Sequence, residues 1–189
     1  MTNLRSLPVP AEGPIRDKIQ EIYERSFPLE EIPMHDLLQA ARKPEVSFVA
    51  WVDESHPVGE DGASHVVALT FSLIFPDLFY LGLLAVDGSA RSAGYGSRIL
   101  AHFGERYGDV PQLLEIEPLT REAENYAQRL RRLAFYERNG FAVTNMLTYE
   151  ADQTFRVLAR GGLVSPERLQ EALNSVLEDP AYHSRVTTD

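Results

Sequence analysis

The chain has 189 residues, 44% of them hydrophobic and 24% charged, with Gly and Pro at 12 each: the make-up of one packed domain with room for a short appendage, not of a fibre or a disordered linker. Lys and Arg number 18 against 28 Asp and Glu, and the formal net charge of −10 repels nucleic-acid backbones and anionic membrane surfaces while mildly attracting amines. Having no cysteine excludes disulfides, thiolate nucleophiles and Cys-ligated metal centres, and the lack of a signal-type or ~18-residue apolar run predicts a cytoplasmic protein without a membrane span.

From Pro14 the apolar residues Ile15, Ile19, Ile22 and Tyr23 recur at helical spacing up to the Phe27-Pro28 break, and Met34, Leu37, Leu38 and Ala41 mark a second helix stopped at Lys43-Pro44. Two helices are thus expected before any strand. Residues 47–52 and 65–75, rich in strand formers around a polar turn, read as a β-hairpin, and the continuous apolar run Leu78 to Val86 reads as a central strand buried on both faces. A helix with Ile99, Leu100, Phe103 and Tyr107 on one face follows, then a short strand over residues 113–117 ended by Pro118. A long helix is predicted from about Arg121 to Arg138, with Tyr126, Leu130, Leu133 and Ala134 as its apolar face and Asn139-Gly140 as its cap. Strands over 141–149 and 154–159 close the domain. Residues 161–189 are predicted as a helical tail outside the 1–160 domain, with Ser165-Pro166-Glu167 as a helix start and Leu169, Ala172, Leu173 and Val176 facing either the domain or a partner across a homodimer. The last dozen residues are expected to fray.

Between the buried strand and its helix lies Val86-Asp87-Gly88-Ser89-Ala90-Arg91-Ser92-Ala93-Gly94-Tyr95-Gly96-Ser97. Glycines there let backbone N–H groups approach an anion at the positive end of a helix, making either a phosphate cradle or simply a tight turn. The spacing is neither Gly-x-Gly-x-x-Gly nor a Lys-terminated P-loop, and two leading helices and a hairpin disfavour a Rossmann-like nucleotide domain.

The loop pattern Arg91-x-x-Gly94-x-Gly96, followed by Phe135-Tyr136-Glu137-Arg138-Asn139-Gly140-Phe141, resembles the GNAT superfamily of acyl-CoA-dependent N-acyltransferases, and the order of elements over residues 14–160 is similar too. The resemblance implies an α/β (α+β) three-layer fold, with a mixed, mostly antiparallel sheet, splayed central strands and helices on both faces. It implies acetyl-CoA as co-substrate, its pyrophosphate on the backbone amides of Arg91, Ser92, Ala93, Gly94, Tyr95, Gly96 and Ser97. The pantetheine would run along Leu83 to Val86, with the thioester near Leu84 and Ala85. Tyr136 matches the position of the family's general acid, and a phenol is protonated at neutral pH. Many relatives carry Asn seven residues before that Tyr; here the place is Arg129, in a cluster with Arg131 and Arg132 that either binds an anion or pairs with Glu122, Glu124 and Asn125.

Glu115 and Glu117, two apart on a strand, are expected on one face, where they act as the base, bind a cationic amine, or form a solvated surface. The resemblance also implies that Glu30 and Glu31, in the loop between the early helices, lie in the region that covers the acceptor, and His35 is an alternative base. The histidines His35, His56, His65, His102 and His183 lack metal-ligand spacing, so no metal is expected. The reading is an N-acetyltransferase that passes acetyl directly to a primary amine in a ternary complex, with no nucleic-acid partner. The alternative is a non-catalytic acyl-CoA-binding module.

Overall fold

The computed structural model describes residues 4–27, 32–55, 65–177 and 179–189; Glu30, Glu31 and His56 lie outside the described residues. The elements run β1 (Leu4–Pro8), α1 (Pro14–Ser26), α2 (Met34–Ala40), β2 (Val46–Asp53), β3 (Val66–Phe75), β4 (Leu78–Val86), α3 (Tyr95–Arg106), β5 (Gln112–Ile116), α4 (Tyr126–Arg138), β6 (Ala142–Glu150), β7 (Gln153–Arg160), α5 (Pro166–Asn174) and β8 (Ser184–Thr188), with single 3-10 turns at Gly88–Ala90 and Pro180–Tyr182. The strands form a mixed sheet in the order β1-β2-β3-β4-β5-β7-β6-β8. The chain folds as two compact units, Met1–Ser72 with Gly82–Leu100, and Leu73–Leu81 with Ala101–Asp189.

In the first unit β1 pairs antiparallel with β2, from Leu4↔Asp53 to Pro8↔Val49, so a strand precedes the two helices, contrary to the sequence expectation. Its sequence, LRSLP, is short and unalternating, and only an edge position, where a ladder hydrogen bond is not needed from every residue, tolerates the proline. The core gathers Ile19, Ile22, Leu37, Leu69 and Ile99, each at most 2% exposed. Trp51 is buried with its indole N–H donating to Thr70 Oγ1 at 2.9 Å, which removes the penalty of a buried polar atom.

In the second unit β4 runs parallel to β5 (Phe79↔Gln112 to Leu81↔Leu114), while β5–β7, β6–β7 and β6–β8 are antiparallel. Phe79 stacks on Tyr107 at 4.6 Å and lies 4.8 Å from Phe103, in a core that includes Leu113, Leu114 and Leu158. Arg160 ties three elements together, donating to the Asn139 carbonyl at 3.0 Å and Gln112 Oε1 at 2.5 Å and lying 4.6 Å over the Phe141 ring.

Three further expectations are corrected. Helix α4 starts at Tyr126, not Arg121. Residues 118–125 are held as turns because Asn125 donates to Glu117 (3.0 Å) and accepts from Arg129 (2.7 Å), whose guanidinium also reaches the Pro118 carbonyl (2.6 Å). The apolar face expected on α4 is not a buried one: Leu130 is 41% exposed, and no side chain of this helix is fully buried. The last dozen residues do not fray. β8 pairs with β6 from Met146↔Thr188 to Glu150↔Ser184, α5 packs against β8, and the amides of Asn174 and Gln170 satisfy backbone groups of Ser184 and Val186. Side-chain amides from α5 do for this polar segment what alternating apolar residues do for other strands.

Candidate functional site

The first unit supplies the glycine-bearing loop. Along the end of β4, Leu83 and Ala85 are buried while Gly82 is exposed and Leu84 and Val86 are half-buried, so one face of the strand is left partly open there and the run is not buried on both faces as the sequence suggested. The strand ends where the Asp87 N–H donates to the Val67 carbonyl at 2.8 Å. Asp87 then caps the 3-10 turn, accepting from Ser89 N (2.9 Å) and Ser89 Oγ (2.5 Å) and pairing with Lys18 Nζ at 2.9 Å. Burial works to raise its proton affinity, but the Ser89 and Lys18 contacts outweigh it, and the carboxyl is held below the usual aspartate range.

Arg91, Ser92, Ala93 and Gly94 are exposed, and both Ser92 (φ 67°) and Gly94 (φ 78°) take the left-handed conformation. A Cβ on Gly94 would meet nothing within 4 Å, so glycine is required there by its dihedral, not by crowding. Left-handed residues interspersed with others turn successive N–H groups toward one side, the geometry of an anion nest. α3 begins immediately after, with no acidic residue in its first turn and with the unsatisfied N–H groups and positive dipole end common to helix starts. Tyr95, named above for its backbone, is 5% exposed; its hydroxyl donates to Asp53 at 3.1 Å, and Arg98 of the same turn stacks on its ring at 4.8 Å and reaches Asp53 at 3.5 Å. Asp53 also accepts from Ser55 N (3.0 Å) and Ser55 Oγ (2.5 Å), and these bonds foremost, aided by Tyr95 and Arg98, hold its carboxyl low despite burial. The end of β2 thereby anchors the start of α3.

The second unit separates the two glutamates that sequence had placed together. β5 ends at Ile116, so Glu117 lies beyond the strand and the alternation argument does not reach it. Glu117 instead pairs with Arg132 at 2.5 Å and Arg129 at 3.2 Å; of the arginine cluster's expected partners Asn125 is engaged, by Arg129, and the carboxylate the cluster meets is Glu117. Glu115 accepts from the Tyr80 hydroxyl at 2.5 Å and from the Thr148 hydroxyl. Burial, and after it the charge of Glu150, pushes its carboxyl up to about 7, against the two hydroxyl donors. Glu150 accepts from Ser184 Oγ at 2.5 Å and is likewise raised, chiefly by burial. The second carboxylate that influences Glu115 is therefore Glu150.

Tyr136 sits in the last turn of α4, 5.1 Å from the Phe135 ring and 5.9 Å from Phe141. Gly140 (φ 86°) closes that helix, with its N–H on the Glu137 carbonyl and the Phe141 N–H on the Tyr136 carbonyl at 3.1 Å, which fixes the backbone of the tyrosine. Desolvation pushes the phenol up to about 12, partly offset by Arg132. His35 is exposed beside Asp36 at 3.2 Å, and no group of three metal-ligating side chains occurs among the described residues. No described helix is long and apolar enough to cross a membrane.

Asp53, Lys18, Tyr80, Thr148, Glu150 and Ser184 were missed by sequence reasoning. Asp87 alone had a local signal, an Asp-Gly-Ser turn directly after a strand.

No protein-family profile and no curated protein sequence matches this chain. Solved structures do. A GNAT-family protein from Bacteroides thetaiotaomicron superposes with a TM-score of 0.65 at 23% identity, over 95% of this chain and 98% of its own. The ribosomal-protein-S18-alanine N-acetyltransferase from Escherichia coli gives 0.56 at 18% identity, over 87% and 97%. The aminoglycoside 6'-N-acetyltransferase from Enterococcus faecium gives 0.56 at 15%, over 86% and 98%. Covering nearly the full length of proteins this distant in sequence, the chain has the GNAT acetyltransferase fold.

Proposed function

We propose that this protein is an N-acetyltransferase that moves the acetyl group of acetyl-CoA directly to a primary amine in a ternary complex. The observation that carries the reading is the loop after β4. In the GNAT fold a nest with left-handed residues at Ser92 and Gly94 opens onto the start of α3, and both ends of it are anchored by buried aspartates. Such a nest suits a pyrophosphate, held on the backbone amides of residues 91–97. Aminoglycoside 6'-N-acetyltransferase, which shares this fold at 16% identity, is known in complex with coenzyme A.

An amine of pKa near ~10 arrives as an ammonium ion and must lose a proton before it can attack. Glu115, at about 7, is ionised in part at neutral pH and is basic enough to take that proton directly or through water. Glu117, already shared by two arginines, holds the start of α4 in this scheme and is not the base. As the C–N bond forms and the C–S bond breaks, the sulfur leaves as a thiolate. Full transfer from a phenol at about 12 to a thiolate whose acid ionises near ~8.5 is uphill by about 5 kcal/mol, so Tyr136 acts first as a hydrogen-bond donor to the sulfur, and solvent completes its protonation. The carboxyls of Glu115 and Glu150 and the net charge of −10 favour a small cationic acceptor.

The test is thermal stabilisation by acetyl-CoA, CoA, NAD and ATP measured side by side. A ligand specific for the folded state raises the melting temperature by mass action. Stabilisation by acetyl-CoA and CoA alone is expected; no response to either sinks the reading. Tyr136→Phe then separates an enzyme from a silent CoA-binding module: kcat for thiol release should fall by ~10²-fold with the CoA thermal shift unchanged.

A further inference from the structure

Glu150, half-buried at the end of β6, is a carboxyl that the proposed reaction leaves unused. β6 carries Thr148 and Glu150 two residues apart, hence on one side of the strand, and each meets a different partner. The Thr148 hydroxyl is fully buried and donates to Glu115; Glu150 lies in register with Ser184 of β8 and accepts from its hydroxyl at 2.5 Å. Glu115 is contacted by Tyr80 from β4 and Thr148 from β6, and β7 sets apolar Val157 opposite it; Glu150 stands two residues beyond Thr148 on the same side of β6, near enough for its charge to act on Glu115, and is itself bonded by Ser184 of β8. The nearby cations are committed elsewhere, Arg156 to Asp189 and Arg129 and Arg132 to Glu117. Two half-buried carboxyls served by hydroxyl donors, the charge of one acting on the other, cannot both ionise without repulsion, so they titrate as a pair.

We propose that Glu150, held by Ser184, is a positioning residue for Glu115, which makes the C-terminal strand β8 part of the proton-accepting apparatus. This rests on the reading of Glu115 as the base. The role follows from the arrangement: the negative charge of Glu150 keeps the Glu115 carboxylate avid for the amine proton, and Ser184 decides how much of that charge is present. The backbone of Ser184 is in turn clamped by Asn174 of α5 through bonds of 2.7 and 3.0 Å, so α5 sets where the hydroxyl stands.

The experiment follows the Glu115 carboxyl resonance by 13C NMR against pH in the wild type, Glu150→Gln and Ser184→Ala, beside kcat/KM for thiol release from acetyl-CoA with spermidine as the acceptor probe. Glu150→Gln should lower the Glu115 midpoint by about one pH unit, because the like charge is gone. Ser184→Ala should move it the same way but less, since Glu150 without its donor stays protonated longer. The acid limb of kcat/KM should follow, raising the value at pH 5 by up to ~10-fold in Glu150→Gln. A merely structural residue would lower kcat/KM at every pH without moving the limb. A Glu115 midpoint unchanged in both variants overturns the inference. A midpoint that moves while the limb stays fixed overturns the reading of Glu115 as the base and leaves the carboxyl coupling standing.

Discussion

The two units set the charge of their carboxyls by opposite means. In the first, Asp53 and Asp87 are 3% and 5% exposed, yet each is held ionised: Asp53 by Ser55, Tyr95 and Arg98, Asp87 by Ser89 and Lys18. In the second, Glu115 and Glu150 are given hydroxyls and each other, and both are pushed toward the neutral form. Burial alone does not fix the charge of a carboxyl; how many donors and cations offset it does, and Asp53 and Asp87 have backbone N–H, hydroxyl and cationic partners where Glu115 and Glu150 have hydroxyls alone. A carboxylate paired with a cation is an anchor, here for the loop and the start of α3. One that faces a like charge exchanges protons near neutrality, which a base requires and an anchor does not.

The sharpest way to break this contrast is Glu115→Gln. If the second unit's carboxyls serve proton exchange, kcat/KM at neutral pH falls ~10³-fold, with stabilisation by CoA retained. Loss of CoA binding together with activity would assign Glu115 a place in holding the fold instead.

Stability against pH should split along the same line. The folded-state pKa of Glu115 is above its ordinary 4.5, so the folded chain holds an extra proton between 4.5 and about 7. Its contribution is therefore fully present below 4.5 and lost as pH rises through 7, a decline of about 3 kcal/mol that Glu115→Gln should flatten in urea titrations. Asp53 and Asp87, with lowered values, act in reverse: their contribution is present above the ordinary aspartate range and lost as pH falls through their folded-state values. Hydrogen exchange at acidic pH should thus loosen residues 87–97 while the amides around Glu115 stay protected.

Removing a cation from the first unit has a smaller effect. Lys18→Met leaves Asp87 buried with Ser89 alone; since the lysine is itself 25% exposed, the cost is about 2 kcal/mol, below that of a fully buried pair. Urea denaturation measures it, and a cost under ~0.5 kcal/mol would mean that Ser89 suffices to hold the charge.

Much of this fold was legible from period and punctuation. The helices α1, α2 and α5, the apolar run of β4, and the Gly140 cap follow from local spacing, and the Arg91 to Ser97 loop stood out because glycines followed a buried strand. What escaped was non-local or at an edge. β1 and β8 carry no strong alternation and exist because a neighbouring strand or the α5 amides complete their hydrogen bonds. The Asp53–Tyr95 and Tyr80–Glu115 bonds span 42 and 35 residues, and no spacing rule reaches that far. Glu115 and Glu117 looked equivalent in a line of letters; the strand's end at Ile116 and two arginines from α4 made them different.

The smallest expected effect comes from a carboxylate that has a cation but little burial. Asp77 accepts from Arg168 through two bonds of 2.8 Å, and that contact holds its carboxyl low as Asp53 and Asp87 are held. Its side chain is 54% exposed, so water and salt screen the pair. Asp77→Asn leaves Arg168 over the Phe75 ring at 4.8 Å and removes only the charge. The expected loss is about 0.5 kcal/mol or less, a melting-temperature change of ~1 to 2 °C that shrinks further in 0.5 M salt, on the order expected for surface pairs. A loss as large as that of Lys18→Met would show that pairing with a cation is enough by itself. A small one leaves burial and pairing acting together as the reason the anchors of the first unit hold.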